Sequence, residues 1–536
     1  MRGPESLHDA IAGAAAALVS EGSVVVKLET PPRPELGDFS TNAPLVLAPL
    51  LGIAPREVAE RLAGEVAVRL GDALERTEVA GPGFLNLYLR DGWFLAALGD
   101  VLAAGERYGT LEASPALRVN IEFVSANPTG PLHVGHARYA AYGDSLARIL
   151  ERCGYAVTRE YYINDYGTQV TKLGESVRAL AFGEPVPEGG YRGGYVGDLV
   201  PAERARTLDI DALSRAAIAA CLDRIRASLE SFGVRFDVWF SERSLHEHGK
   251  VELALRQLAE RGETYEADGA LWLRTTAHGD DKDRVLVRSS GEHTYFASDI
   301  AYLEDKRERG FERILFVWGA DHHGYVPRIK AAGVALGSDP ASVEVVIGQF
   351  VHLIGIEGRT AMSKREGEYV TLDDLVAEIG VDASRWFLLA RSHDTTVDLD
   401  LDLAVRESSD NPVYYVQYAH ARIVSILERA GEERVAEAVL EITAVEPLHA
   451  SERALVKRLL DFPGELAEAA ERRAPHRISS YALELAQDFT AFYRDCQVIG
   501  AQPRETESLR LALSVAARDV IAGGLGLLGV NAPSQM

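Results

Sequence analysis

Two histidines lie three residues apart in a Pro- and Gly-rich stretch, Ala126-Asn-Pro-Thr-Gly-Pro-Leu-His-Val-Gly-His136. If a helix begins there, residues at this spacing share one face of its first turn. A helix start presents unpaired backbone N–H groups and the positive end of the helix dipole, and both favour phosphate. His133 and His136 therefore predict a phosphate or nucleotide site, although a pair at this spacing alone is more often an ordinary feature of a helix start.

The flanking segments predict the elements that position these histidines. From Leu117 to Phe123 apolar and polar residues alternate, which is the pattern of a β-strand. From Ala137 to Arg152 the apolar residues follow helical spacing, and Gly154 can end the helix. The Pro and Gly residues between them forbid continuous structure. The histidines are thus expected where a strand passes through a loop into a helix.

The order of elements continues as a second strand, Tyr155 to Ile163, and a second helix from about Thr168. A strand–helix–strand–helix order predicts a parallel sheet with right-handed crossovers. Ligands on such sheets bind at the carboxyl ends of the strands, where the histidine loop falls. The predicted fold class is α/β.

Size and composition limit the possible classes of protein. The chain has 536 residues, 47% hydrophobic and 25% charged, and a net charge of -24, which indicates a folded protein of roughly three domains. The negative net charge does not exclude binding to nucleic acid, because such binding depends on local patches of positive charge. The three cysteines form no Cys-x-x-Cys pair, and the apolar run Ala10 to Val19 is too short to cross a bilayer. We expect the protein to have no metal site built from its own side chains, not to insert into a membrane, and to be cytoplasmic.

We predict three domains. Residues 1–112 form a small α/β unit, 113–400 a parallel-sheet domain with an insertion at about 165–233, and 401–536 an all-α helical bundle. In the first unit the expected elements are a helix from Ser6 to Ser20, a strand from Val24 to Leu28, helices between Pro44 and Leu70, and a strand from Phe84 to Leu89. Later elements are a hairpin of Ala270–Arg274 with Arg284–Arg288, strands Arg313–Gly319 and Gln349–Ile356, and helices from about Thr371 to the end. Among these helices are Leu372–Ile379, Ala383–Arg391 and the stretch from Asn411 to Arg429.

Two further polar segments are candidates for the site, since both fall at predicted strand ends or helix starts. One contains Tyr295 and Asp299, four residues apart and on one face of a helix, and the other is Asp321-His-His-Gly324. A purely structural interpretation makes Asp299 a helix-start acid favoured by the dipole and Tyr295 a half-buried aromatic residue.

The stretch from Glu122 to His136 resembles, nearly residue for residue, the ATP-binding signature of the class I arginyl-tRNA synthetases. The resemblance extends over nearly the whole chain and implies a Rossmann-like catalytic domain. It assigns His133 and His136 to the phosphates of ATP as catalytic residues, with the backbone at Gly135 approaching the nucleotide. Mg²⁺ is expected to accompany ATP rather than to occupy a protein cage.

The same resemblance implies a site for L-arginine. In the family, residues matching Tyr295 and Asp299 hold the substrate guanidinium, together with the acid that matches Glu122. The positions of Asn127 and Ser125 correspond to residues that orient the backbone of the amino acid. A planar cation with five donors suits fixed carboxylates in a fork geometry.

The segment Ala361-Met-Ser-Lys-Arg365 resembles the second class I signature and implies that Met362, Ser363 and Lys364 contact ATP. The resemblance also makes Lys364 a catalytic residue, at the departing pyrophosphate. Taken alone it is a polar turn with a solvated lysine. Ala361 stands where the full signature has a leading lysine, and Arg359 or Arg365 could neutralise the pyrophosphate instead.

Contacts with tRNA are implied at both ends of the chain. Gly37-Asp-Phe-Ser-Thr-Asn42 is similar to a family motif that meets the tRNA elbow, so Phe39 and Asn42 are expected to stack on and hydrogen-bond a D-loop base. Without the resemblance this segment is a helix start capped by Asn42. The insertion would seat the acceptor end, and Tyr418 and Arg422 would contact the anticodon.

The predicted activity is arginine–tRNA ligation by a monomer: ATP activates L-arginine as arginyl-adenylate, which passes to the 3′ adenosine of the tRNA for arginine. The alternatives are another class I aminoacyl-tRNA synthetase, a nucleotidyltransferase with a similar histidine loop, or a synthetase-like RNA-binding protein with impaired catalysis. Ala361 is the feature that favours the last.

Overall fold

The architecture is that of a computed structural model, which describes residues 4–19, 26–31, 33–111, 116–355, 370–440, 442 and 447–536. The elements fall into an N-terminal α/β unit, a central parallel sheet with its helices, and a C-terminal helical bundle.

The N-terminal unit is a four-stranded sheet with helices packed on it. Its elements are α1 (Pro4–Leu18), β1 (Leu28–Glu29), β2 (Phe39–Thr41), α2 (Ala43–Leu51), α3 (Pro55–Leu70), β3 (Leu74–Ala80), β4 (Phe84–Leu89) and α4 (Asp91–Ala104). The strands are antiparallel in the order β1-β2-β4-β3. Alternate residues of a strand point to one face, and Leu85, Leu87 and Leu89 are accordingly all fully buried. The helices predicted between Pro44 and Leu70 and the strand from Phe84 are confirmed, whereas β3 was not predicted.

The central unit contains a five-stranded sheet in which every neighbouring pair is parallel. Its elements are β5 (Arg118–Glu122), α5 (Val134–Arg152), β6 (Ala156–Ile163), α6 (Thr168–Phe182), α7 (Ala202–Thr207), α8 (Ile210–Ser231), β7 (Val238–Ser241), α9 (Glu242–Glu247), α10 (Lys250–Glu260), β8 (Thr264–Ala267), β9 (Ala270–Leu273), β10 (Arg284–Val287), α11 (Tyr295–Glu308), β11 (Arg313–Gly319), α12 (Val326–Ala335) and β12 (Val343–Gly348).

The strand order β12-β11-β5-β6-β7 places a topological switch point beside β5. The chain builds outward from β5 through β6 and β7, and then returns to the other side of β5 with β11. Crevices at such switch points, at the carboxyl ends of the strands, are the usual binding sites of open α/β sheets. The histidine loop leaves the carboxyl end of β5, so it lies at this position.

The remaining strands form two smaller sheets. The predicted hairpin is confirmed as β9 and β10, which pair with the unpredicted β8 in an antiparallel sheet. The predicted strand Gln349–Ile356 is β13 (Val351–Ile354), and it lies outside the main sheet because its parallel partner is β14 (Val397–Asp400). The prediction of helices alone after Thr371 is therefore wrong. Val397 and Leu399 are buried and alternate with Asp398 and Asp400, a strand pattern within that helical region.

The remaining elements are helical. They are α13 (Leu372–Leu389), α14 (Leu401–Ala404), α15 (Pro412–Ala430), α16 (Glu432–Leu440), α17 (Ala450–Glu471), α18 (His476–Asp495) and α19 (Arg504–Leu528). The two helices predicted within Leu372–Arg391 form α13, which is broken at Gly380 with φ 78° and ψ 166°. Among the described helices only α19 is long and apolar enough to cross a membrane, but 72% of its apolar stretch is buried inside the fold. That burial is typical of the central helix of a bundle.

The C-terminal end of α19 is bound to the helix that begins at the histidines. Ser145 of α5 donates to the carbonyl of Leu527 at 2.9 Å, and Arg385 of α13 donates to that of Leu528 at 2.8 Å. Arg385 is fully buried and also meets Asp144 of α5 at 2.6 Å. The last carbonyls of a helix lack partners within the helix, so these side chains satisfy them. The bundle and the central sheet thus share one buried polar contact.

Candidate active site

The histidine loop forms the start of α5. His133 is the residue before the helix, and its Nδ1 accepts a hydrogen bond from the backbone N–H of Gly135 at 3.0 Å. Nδ1 of His136 accepts from the backbone N–H of His133 at 3.3 Å. The two rings stack with centroids 3.7 Å apart. The predicted helix start and shared face are confirmed, and the pair caps the helix reciprocally.

These hydrogen bonds indicate the proton positions on both rings. A neutral imidazole that accepts at Nδ1 carries its proton at Nε2. Burial lowers the pKa of His133, and burial together with the neighbouring His133 lowers the pKa of His136 to about 3. Both rings are therefore neutral at pH 7 in the ligand-free protein and present Nε2–H donors, which suit phosphate oxygens.

A glycine is required at position 135. A Cβ atom there would lie 2.8 Å from Cε1 and 3.0 Å from Nδ1 of His133. A side chain would displace the His133 ring from its position at the helix start. Gly135 therefore permits the arrangement of the histidines, in addition to its predicted approach to the nucleotide.

The turn between β5 and the histidine loop has unusual backbone geometry. Val124 and Ser125 have φ of 67° and 38°, a region that residues other than glycine rarely adopt. Such conformations persist where surrounding contacts fix them. The hydroxyl of Ser125 donates to Oε1 of Glu122 at 3.1 Å and accepts from the backbone N–H of Tyr162 at 3.1 Å. Asn127, two residues further on, is exposed.

A buried ion network lies beneath this turn. Lys306 of α11 is fully buried, and its Nζ lies 2.9 Å from Oε2 of Glu122 and 3.3 Å from Oε1 of Glu160. It also donates to Oδ1 of Asn120 at 2.6 Å. Glu160 in addition meets Arg309 at 2.6 Å. The carboxylate of Glu122 is thus already partnered by a cation, which the sequence did not indicate.

The helix α11 carries the other predicted acid. Tyr295 is its first residue and is 67% exposed, whereas Asp299, one turn further on, is only partly accessible. Burial, together with the charge of Glu122, raises the pKa of Asp299 to about 6, although a hydrogen bond from the hydroxyl of Tyr325 and the charge of Arg328 oppose the rise. The two residues share a helix as predicted, with Tyr295 nearer the solvent.

A second acid with a perturbed pKa was missed by the sequence analysis. Glu242 is the first residue of α9, directly after β7, and is 3% exposed. Burial raises its pKa to about 7, and the charge of Asp299 contributes. The signal that could have found it is its place after a parallel strand, the same rule that indicated the histidine loop. Glu242 and Asp299 form an acid pair that a bound cation would stabilise in the ionised form.

The second signature lies outside the described residues. Met362, Ser363, Lys364, Ala361, Arg359 and Arg365 all fall within 356–369. The chain on the C-terminal side of this segment binds the histidine loop: the N–H of Val134 donates to the carbonyl of Val370 at 3.1 Å, and the N–H of Leu372 donates to that of Leu132 at 2.8 Å. The described chain therefore resumes, at Val370, beside the histidine loop.

The N-terminal motif differs from its prediction. Phe39 is 3% exposed and packs edge-on against Trp93 with centroids 5.8 Å apart. Stacking of Phe39 on a tRNA base is therefore contradicted, because a ring that is buried in the core is not accessible to a base. Asn42 precedes α2, but its Oδ1 accepts from the backbone N–H of Lys27 at 3.4 Å instead of capping the helix.

Asp38, in the same motif, joins the N-terminal unit to the bundle. Its carboxylate meets Arg453 at 2.8 Å and Lys457 at 2.7 Å on α17. Burial opposes ionisation, but the hydrogen bonds from Arg453 and Lys457 outweigh it and lower the pKa of Asp38. The motif therefore makes a structural contact between domains.

On α15, Tyr418 and Arg422 lie side by side. Arg422 donates to the hydroxyl of Tyr418 at 2.9 Å, and its guanidinium lies 4.6 Å from the centre of that ring. Tyr418 is 41% exposed and stacks on Tyr414 with centroids 6.0 Å apart. Together they line two adjacent recesses of about 330 and 500 Å³. Exposed aromatic faces beside arginine suit unpaired bases.

Three family models match the chain. They are the arginyl tRNA synthetase N terminal domain over residues 5–89, the class I (R) tRNA synthetase catalytic domain over 97–179 and 210–423, and the DALR anticodon binding domain over 416–536. The catalytic match covers the histidine loop, Glu242 and Asp299.

Similar proteins and structures agree with these models. The chain is 45% identical to an arginine–tRNA ligase of Bacillus velezensis, over 95% of this chain and 94% of that one. It is 44% identical to an arginine–tRNA ligase of Carboxydothermus hydrogenoformans, over 97% of this chain and 96% of that one. Thermus thermophilus arginyl-tRNA synthetase superposes with a TM-score of 0.80 at 25% identity, covering 99% of this chain and 100% of that one.

Proposed function

This chain belongs to the arginyl-tRNA synthetase family, and from that premise we propose how its residues divide the work of arginine–tRNA ligation. It is a class I aminoacyl-tRNA synthetase and a ligase. The reaction joins L-arginine to its tRNA in two steps, activation by ATP and transfer to the 3′ adenosine.

The arginine site lies between α9 and α11. The observation that carries this proposal is the acid pair Glu242 on α9 and Asp299 on α11, two carboxylates whose pKa values are raised by burial and by neighbouring acids. A guanidinium would bring a positive charge to this pair and bind the carboxylates in a planar fork. Tyr295 at the exposed start of α11 would cover the entrance.

Glu122 has a different part in this proposal. Lys306 already neutralises its carboxylate, so Glu122 acts on the substrate mainly by holding Ser125 and the turn before Asn127. Ser125 and Asn127 would then orient the amino and carboxylate groups of arginine. A site with buried, paired carboxylates rejects uncharged isosteres strongly, because its own acids would be left unpaired.

The ATP site lies at the start of α5. The Nε2–H donors of His133 and His136 would bind the phosphates, and the backbone at Gly135 would approach the nucleotide. Met362, Ser363 and Lys364 complete this site in the proposal, supported by the contact of Val370 with Val134. Lys364 precedes Val370 by six residues, a reach of roughly 20 Å for extended chain. Mg²⁺ would accompany ATP and neutralise part of the phosphate charge.

Catalysis in this arrangement consists of positioning and charge stabilisation. The arginine carboxylate attacks the α-phosphorus of ATP, and pyrophosphate leaves toward Lys364. The ribose hydroxyl of the terminal adenosine then attacks the arginyl carbonyl, and AMP leaves. No enzyme nucleophile is required, since the carboxylate of the substrate is itself the nucleophile.

Each domain would contact a different part of the tRNA. We propose the division 1–112, 113–400 with the insertion at about 165–233, and 401–536, with Asn42 near the elbow and Tyr418 and Arg422 at the anticodon. Exposed stacked aromatics beside arginine support the last assignment. We further propose a cytoplasmic monomer, consistent with three buried and unpaired cysteines.

The test is arginine-dependent ATP–pyrophosphate exchange with tRNA present. Asp299→Asn removes one partner of the guanidinium, which costs about 2–5 kcal/mol for a buried charge pair, or about 30- to 4,000-fold in the KM for arginine. The KM for ATP is expected to stay within about twofold. Asp283→Asn, at the residue before β10 of the small antiparallel sheet, is the control. An unchanged KM for arginine in Asp299→Asn would show that the guanidinium binds elsewhere.

A further inference from the structure

A tyrosine that was not among the predicted site residues donates a hydrogen bond to the proposed arginine site. Tyr325 follows Asp321-His-His-Gly324, and its hydroxyl donates to Oδ2 of Asp299. The segment Ala320–Tyr325 is a short 3-10 helix between β11 and α12, so it begins at a strand end of the main sheet. This segment thus reaches the site through its last residue, Tyr325.

The ring of Tyr325 is held from three sides. Phe296 of α11 meets it edge-on at 6.1 Å, and Trp318 of β11 lies 5.9 Å away at 69°. The guanidinium of Arg328, on α12, lies 4.5 Å from its centre. A ring packed in this way has few alternative rotamers, so the direction of its hydroxyl is fixed before substrate binds.

We propose that Tyr325 is a positioning residue for L-arginine, because its hydroxyl occupies one oxygen of Asp299 and presents the other, in the ionised carboxylate, to the guanidinium. The inference rests on the proposed assignment of Asp299 to the arginine site. It adds a residue whose effect on arginine binding passes entirely through Asp299.

The charged groups around Asp299 explain why this hydrogen bond affects its ionisation. The charged and titratable groups that face it are Glu122 at the end of β5, Tyr162 on β6, Glu242 on α9, Arg328 on α12 and Tyr325 itself. Two of these groups are acids and one is a cation, so the charges around Asp299 as a whole disfavour its ionised form. Tyr325 stabilises the ionised form, since a hydrogen bond donated to a carboxylate lowers its pKa.

The experiment compares Tyr325→Phe with the parent enzyme at two pH values. The substitution keeps the ring and removes only the hydroxyl. A hydrogen bond to a charged group that shifts ionisation roughly tenfold would lower the ionised fraction of Asp299 about threefold at pH 6.5 and leave it nearly unchanged at pH 8.5. The ratio of KM for arginine, variant to parent, is therefore expected to be about threefold larger at pH 6.5. The KM for ATP should not change.

The control is Tyr265→Phe, which removes a similar tyrosine–aspartate hydrogen bond, 3.0 Å to Asp283, on the small antiparallel sheet. Its KM ratio should be flat with pH. A KM ratio for Tyr325→Phe that stays at one, or rises equally at both pH values, would overturn the positioning role. The proposed function is judged separately by Asp299→Asn: if that variant raises the KM for arginine while Tyr325→Phe gives a flat ratio, only the inference about Tyr325 fails.

Discussion

Loss of Lys306 should affect its two carboxylate partners beneath the arginine site, Glu122 and Glu160, unequally. Lys306→Met keeps most of the length of the unbranched side chain and removes its charge. Glu160 retains Arg309, which donates to both of its oxygens at 2.6 and 3.0 Å. Glu122 keeps Ser125, a neutral donor at 3.1 Å, and so becomes the uncompensated charge. The expected loss is about 3–5 kcal/mol, the usual result of breaking a buried ion pair.

The assay is the melting temperature by calorimetry, at constant protein concentration and pH. For a cooperative unit of roughly 150–250 residues, each kcal/mol lowers the melting temperature by about 2–4 °C, so Lys306→Met should melt about 6–20 °C lower. Adding Glu122→Gln removes the uncompensated charge and should restore most of this loss. Adding Glu160→Gln should not, because it leaves Glu122 unpaired.

The reasoning would be refuted if Glu160→Gln restored stability as well as Glu122→Gln, or if Lys306→Met melted within about 1 °C of the parent.

Two further predictions concern the nucleotide and tRNA sites. Gly135→Ala should lower kcat of ATP–pyrophosphate exchange by about tenfold to a hundredfold, because its Cβ would displace the His133 ring and small misplacements at a reacting centre have effects of that size. The control is Gly64→Ala in α3, where a Cβ meets nothing within 4 Å, and equal rates in the two variants would contradict the argument. Arg422→Ala should raise the KM for tRNA about 5- to 100-fold through loss of stacking and phosphate contacts, with the KM for arginine unchanged. Substitution of the exposed Arg472, the residue after α17, by Ala should leave both constants as they are.

The fold was predictable where its signals are local. The helix start at the histidines, the break near Gly380 and the helix α15 follow from patterns of a few neighbouring residues, and all three appear in the structure. The parallel sheet follows from the order of strands and helices. The strand β14 was missed because the surrounding helical spacing outweighed its short alternating pattern.

The sequence by itself determined the family, the fold class and the chemistry of the signature loop, because these reside in contiguous residues whose spacing fixes their geometry. Only the tertiary structure decided which charges meet. Lys306 and Glu122 are 184 residues apart, and their contact gives Glu122 a partner that its own segment does not indicate. Glu242 gained its place beside Asp299, and Phe39 was buried against Trp93, in the same way. Burial and pairing depend on contacts between distant segments, which local patterns do not encode.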